Sequence, residues 1–284
     1  MKWWRRRPAA HEPAESKAEA EARFRRENPV EQVCAALLDD DHMVRRAAAR
    51  KLNRLGAPDA VRPLLDALGK QPRVSSGHSA GGDIIGALVQ IGGPEIESHL
   101  CALLTTEQYW EDRLIGTGDN PDVVPALDWL APALVGLGGP DLLLRRLLDL
   151  LTDERPRMRA YAAHELSDIA YRATVGYGIT LSGAGRLTDE HRAAMYGPFH
   201  AALTDTWKQV RRHAVTALGH LGDTAAVDGV IARLDDDEGT VRYAAAVALG
   251  NLGDVRAIEP LRGHARDEYA AMPVRAALAR LTRR

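Results

Sequence analysis

Apolar residues recur along this chain at helical spacing, and one spaced phrase returns several times. Val210, Ala214, Ala217, Leu218 and Leu221 share one face of a 3.6-residue period, and Val241, Ala245, Ala248, Leu249 and Leu252 repeat them 31 residues later. Earlier copies run from Val44-Arg45 through Leu52 to Gly56, and from Met158-Arg159 through Leu166 to Ala170. With the residue that closes each phrase as a ruler, copies end at Gly56, Gly92, Gly138, Gly222 and Gly253, and Ala170 fills the missing slot. Three early copies continue alike: Ala57-Pro58-Asp59, Gly93-Pro94-Glu95 and Gly139-Pro140-Asp141. Glycine closes a helix because it tolerates a left-handed backbone. Proline opens the next, where its missing N–H would be unpaired anyway, and an acid close behind suits the helix dipole. Each unit of the pattern therefore predicts a helix, a tight turn and a second helix.

A period of this length marks a stacked-repeat architecture, in which no single repeat buries its own apolar face. The expectation is an all-α fold, a solenoid of about six helical pairs with a terminal capping helix, over residues 29–284. Residues 1–28 read as a flexible or helical arm. Ala, Glu, Lys and Arg alternate from Ala14 to Glu27, and Phe24 is the one large apolar residue there. Uneven spacing places insertions near 105–120 and 171–190, with a few extra residues around 71–80. Their Gly and Thr content reads as loop, and loops on a rigid repeat scaffold are places for individual function.

The Asp-rich cap, the Val-Arg pair, the Ala-rich first helix and the Leu-Gly-x-Leu-Gly-Asp turn resemble HEAT-type repeats, in particular the short form named after phycobilisome lyases. The resemblance covers roughly residues 29–284 and is strongest from Asp205 to Arg266. It implies the architecture directly. For function it implies several classes, because scaffolds, bilin lyases, a diiron hydroxylase and DNA glycosylases use related designs. The hydroxylase repeats carry a His-Glu pair just after the Val-Arg start. Here those positions hold Arg46-Ala47, Ala160-Tyr161, Arg212-His213 and Tyr243-Ala244. His164-Glu165 lies about one turn further on, and one displaced pair cannot supply a diiron ligand set.

Charge narrows the partners. The chain holds 37 basic and 39 acidic residues for a net −2, without the basic excess that phosphate neutralisation calls for, so nucleic acid is disfavoured. Cys34 and Cys101 both lie in apolar helical patterns and read as reduced core thiols, with no histidines spaced to make a metal framework. Neither a signal-type apolar stretch after the basic start nor a window of membrane-span length is present, which points to the cytoplasm.

The recurring arginines, Arg45, Arg159, Arg211, Arg242 and Arg275, each follow an acidic stretch. A structural ladder is expected, each arginine reaching the aspartate cap of a neighbouring repeat. The helices after the turn glycines are taken to line the concave face. One outward position on them reads Arg62, Ser98, Leu144, Asp228 and Glu259; another reads Asp66, Ala102, Leu148, Ala232 and Gly263. Mixed charge around a leucine patch suits another protein as partner. Tyr109 and Trp110, in the first large insertion, are the aromatics added to this set; Trp129 and Trp207 read as packing. The reading is thus a non-catalytic, protein-binding scaffold or adaptor without metal, cofactor or named catalytic residue. The alternative is a lyase-like or DNA-glycosylase-like enzyme built on the same repeats.

Overall fold

The turn glycines do what the pattern requires of them. Gly222 and Gly253 close their helices in the left-handed region, at φ 78° and 72°, each donating its N–H to a carbonyl four residues back, Leu218 or Leu249. Asp223 and Asp254, immediately behind them, accept the N–H groups of Ala225 and Arg256 and so cap the following turns. The earlier glycine of each phrase has a different task. A Cβ on Gly219 would sit 2.8 Å from Ala248 Cα, and one on Gly250 would sit 3.1 Å from Ala277 Cβ. The absence of side chains there lets consecutive repeats approach backbone to backbone.

The structure, a computed structural model, describes residues 16–70, 80–105, 114–115, 122–123, 130–175 and 187–283. The chain divides into two compact units, Met1–Ile96 and Glu97–Arg284. In the first, α1 (Lys17–Glu27) and α2 (Val30–Ala35) precede α3 (His42–Leu55), α4 (Val61–Gly69) and α5 (Gly81–Ile91); the division falls inside α6 (Pro94–Thr105). The second unit continues with α7 (Leu130–Leu150), broken at Gly139, then α8 (Pro156–Val175) and α9 (Asp189–Ala202). It ends with α10 (Lys208–Leu221), α11 (Val227–Ile231), α12 (Gly239–Leu252), α13 (Ile258–Gly263) and α14 (Ala271–Leu281).

The fold is all-α and of the helical-repeat solenoid type, as the pattern predicts. Within the second unit the Val-Arg helices lie side by side: α8 packs on α10, α10 on α12, and α12 on α14. Their apolar stripes form one seam, in which Val210, Ala214, Leu218, Val241, Ala245 and Leu249 are fully buried. The first unit repeats the scheme with α3 on α5.

One feature departs from the sequence reading. The first insertion, expected as loop, contributes one strand of a two-residue antiparallel ladder, β1 (Leu114–Ile115) against β2 (Asp122–Val123); backbone groups with no helix to pair in find partners across it. Residues 106–113, 116–121 and 176–186, most of both insertions, lie outside the described residues, as do residues 71–79. The arm, in turn, holds a helix with a Ser16–Glu19 capping box. Its Phe24 is half-buried under the Arg54 guanidinium, 4.1 Å from the ring centroid, which ties α1 to α3.

Candidate functional site

The ladder arginines form the most regular polar structure in the chain. Arg159, Arg211 and Arg242 each stand in the first turn of a Val-Arg helix. Each donates through Nη1 to two carbonyls five and six residues back: Asp153 and Glu154, Asp205 and Thr206, Asp236 and Asp237. Each also donates through Nε to a carboxylate of the following repeat, Asp205 at 2.7 Å, Asp236 at 2.8 Å and Asp267 at 2.8 Å. Arg159 and Arg211 add a second bond through Nη2, completing bidentate pairs. Arg211 and Asp236 are both buried. Burial pushes the Asp236 carboxyl up, but the Arg211 guanidinium and the Glu238 N–H hold it below the ordinary carboxylate range. Arg45 clamps the Asp39 and Asp40 carbonyls in the same way. Arg275 does not; it donates to Ala271 in its own helix and is exposed.

On another face of the same helices lies a groove of about 570 Å³. His164, Asp168 and Tyr171 reach it from α8 at i, i+4 and i+7. From α10 come Arg212 and His213, then Thr216 and His220; from α12 come Tyr243, Val247 and Asn251, and Tyr269 closes the end before α14. Helical spacing makes each set one stripe, and packing of the three helices makes the stripes one surface. The groove's large apolar and aromatic side chains are unusually open: Tyr171 is 46% exposed, Tyr243 44%, Val247 38% and Tyr269 58%.

Its histidines are held neutral. His164 and His213 meet edge to face with ring centroids 4.9 Å apart, and Tyr171 and His220 do the same at 5.1 Å. Burial, with Arg212 and His164 beside it, pushes His213 down to about 2. Burial also lowers His164 and His220. Arg212 Nη2 lies 3.1 Å from His213 Nε2. A guanidinium can only donate, so that nitrogen accepts and the ring proton sits on Nδ1. Asp168 is bound to Arg172 at 2.6 Å. Among the described residues, no group of three or more His, Cys, Asp or Glu side chains is placed to hold a metal ion.

None of the described residues placed on the binding face from the sequence lines this groove. Leu144 is 4% exposed, packed within α7 between Leu143 and Leu147, which are also buried, and Leu148 is half-buried. Both α8 and α9 pack on α7, and His191 Nε2 meets Asp141 Oδ1 at 2.6 Å. Arg62 and Asp66 are exposed on α4 and face each other, 3.5 Å apart. Asp228 is engaged by Arg256 at 3.1 Å, and Glu259 by Arg262. Ser98 is exposed on α6. Tyr109 and Trp110 lie outside the described residues. The groove falls instead on the Val-Arg helices. One signal in the sequence could have found it: Tyr243 and Val247 are large apolar residues four apart, off the stripe that the small alanines reserve for packing.

Comparison with protein families matches the HEAT repeats over residues 198–281 and the PBS lyase HEAT-like repeat over residues 44–70. The first match spans α10 to α14 and the second α3 and α4. The chain is a helical-hairpin repeat protein. The matched repeats are HEAT repeats, present in both units. No curated protein matches it. Among solved structures, an engineered protein is 20% identical, covering 90% of this chain and 97% of its own, with a TM-score of 0.41. Human deoxyhypusine hydroxylase in complex with glycerol is 18% identical over 96% of this chain and 92% of its own, at 0.36. A designed armadillo repeat protein in complex with the peptide (KR)4 is 16% identical over 89% and 100%, at 0.40. No helix among the described residues is long and apolar enough to cross a membrane.

Proposed function

We propose that this chain is a non-catalytic, cytoplasmic adaptor that holds another protein along the groove of its second unit. One observation carries the reading. Tyr171, Tyr243, Val247 and Tyr269 stand between 38% and 58% exposed in a single groove. The buried seam of α12 is made by Val241, Ala245 and Leu249 and not by these residues, although Tyr171 meets His220 edge to face and Arg242 lies 5.7 Å over the Tyr269 ring. Clustered apolar and aromatic surface of this kind is characteristic of the centre of a protein interface. Neutral histidines beside tyrosines add hydrogen-bonding edges without the desolvation cost of charge.

The test is crosslinking with mass spectrometry in the native cell, run with the wild type and with Tyr243→Ala/Val247→Asp. Crosslinks from a partner to α8, α10 and α12 that disappear in the variant are the expected result. Crosslinks confined to α4, α11 and α13, unchanged in the variant, would sink the groove as the binding face. Pigment absorbance in the purified protein, or salt-sensitive retention on an anionic column, would favour the enzymatic alternatives.

A further inference from the structure

We propose that the first unit carries a second docking surface, between α3 and α5, for an acidic helix of a partner protein. The partner's carboxylates meet Arg46, Arg50 and Arg54 along α3, and its backbone lies over Gly82 and Gly86 of α5. This surface does not depend on the groove of the second unit.

Charge complementarity carries it. Counted from the Val-Arg start, the groove positions Tyr243, Val247 and Asn251 of α12 are matched on α3 by Arg46, Arg50 and Arg54. Four residues apart, these arginines form one row along the helix, in steps of about 6 Å. Arg46 and Arg50 share a single carboxylate, Asp83, through their Nε atoms at 2.8 and 2.9 Å. Arg54 stands over Phe24, a ring without counter-charge. Among the described residues the row therefore sets three guanidiniums against one carboxylate. Arg50 and Arg54 are exposed. Beside the row, Gly82 and Gly86 lie on one face of α5 with Asp83. A Cβ on Gly82 would meet nothing within 4 Å, and one on Gly86 only Asn53 Nδ2 at 3.6 Å. Packing within the unit requires neither glycine, and both weaken the helix relative to alanine. They leave bare backbone next to the cations, where a partner helix can lie close. Glutamates four residues apart on that helix recur at the same ~6 Å step, and each suits a guanidinium two bonds at a time. A nucleic-acid strand shares the negative charge, but its phosphates run on past a row of about 12 Å. Toward the start of α3 they would meet Asp39, Asp40 and Asp41, all exposed.

The probe is a fluorescein-labelled, alanine-based helical peptide with glutamate at every fourth position. It is read by anisotropy on the full chain at neutral pH and low ionic strength, beside the same peptide with glutamine or lysine for glutamate. The glutamate peptide is expected to bind roughly tenfold more tightly than the glutamine one, with lysine weakest. Arg50→Gln/Arg54→Gln should erase the glutamate preference, and Arg50→Glu/Arg54→Glu should turn it toward lysine. Circular-dichroism melting checks that each variant folds, and the wild-type peptide series stands without any variant. Tyr243→Ala, in the second unit, should leave the series unchanged, which keeps a failure here distinct from a failure of the groove. Equal binding of the three peptides, a lysine peptide bound most tightly, or no peptide held at all overturns the proposal. So does a glutamate preference that survives Arg50→Gln/Arg54→Gln or that is lost with Tyr243→Ala. A labelled DNA strand that displaces the glutamate peptide and binds more tightly overturns it as well.

Discussion

The Val-Arg helices of the second unit carry two polar surfaces with opposite character. At their N-terminal ends, Arg159, Arg211 and Arg242 spend their donors on loop carbonyls and on the next repeat's aspartate. On their groove face, Tyr171, Tyr243, Val247 and Tyr269 remain open to water beside histidines too desolvated to charge. Charge by itself does not mark the functional surface here. The charged edge is the saturated one, and it holds the repeats in register. The apolar face is unsaturated, and it is the face proposed for a partner.

Removing Arg211 should give the largest effect and tests the first half of that contrast. Arg211→Ala leaves Asp236, of which only 1% of the side chain is exposed, buried without its bidentate partner and with Arg233 at 3.4 Å. The expected cost is about 3–5 kcal/mol by urea denaturation. The pH response should change as well. In the wild type the depressed Asp236 contributes stability above the ordinary carboxylate range, lost as pH falls through its lower folded value. In the variant the Glu238 N–H and Arg233 still oppose burial, so the depression of that carboxyl should shrink. An Arg211→Met/Asp236→Leu double variant that recovers the loss would show that the pair specifies register more than it stabilises. Arg45→Ala in the first unit should cost less. Arg45 holds carbonyls too, but the carboxylate one helix on, Asp83, is taken by Arg46 and Arg50.

Next in size is the close approach that sets the groove's width. Gly219→Val would drive side-chain atoms into Ala248 and separate α10 from α12. An overpacking cost of about 1–3 kcal/mol is expected, together with weaker partner binding, measured on the same sample. Lost stability with unchanged binding would uncouple the seam from the groove.

How much of this was legible in the sequence follows from the range of each interaction. Gly222 and Gly253 were readable as turns because an αL cap is decided within a few residues. The arginine ladder was readable because its partner recurs one period away. The groove was not, since which side of α12 stays open depends on the angle at which α10 and α14 pack, and no local pattern fixes that angle. Leu144 was assigned outward by register with Arg62 and Asp228, a rule that holds only where nothing covers the second helix. Here α9 packs on α7, and there register gives way to tertiary packing.

A smaller effect concerns protons. His213 is pushed down to about 2 in the folded protein. The unfolded chain therefore takes up a proton first as pH drops below about 6.5. Stability should fall from there toward acid by up to about 1.4 kcal/mol per pH unit for this group. His164 and His220 act in the same direction. His264, raised by the Pro260 carbonyl and then by Asp235, acts in the other: its contribution is present in acid and lost as pH rises through its folded value. His213→Asn should flatten the slope between pH 6 and 4, about two units, by close to one proton. An unchanged slope would mean that water reaches the ring and the groove floor is wetter than its geometry indicates.

The smallest stability effect should come from the residue with the largest proposed role in binding. Tyr243→Ala removes a side chain that is 44% exposed and outside the α10–α12 seam, so its thermal midpoint should shift by no more than about 0.5 kcal/mol implies. Partner binding measured on the same preparation should fall far more. That dissociation is the contrast between the two surfaces in its sharpest form, since Arg211→Ala should lower both together through loss of the fold. If Tyr243→Ala instead melted the second unit, the tyrosine would belong to the packing, and the groove would be a by-product of stacking with no vacancy for a partner.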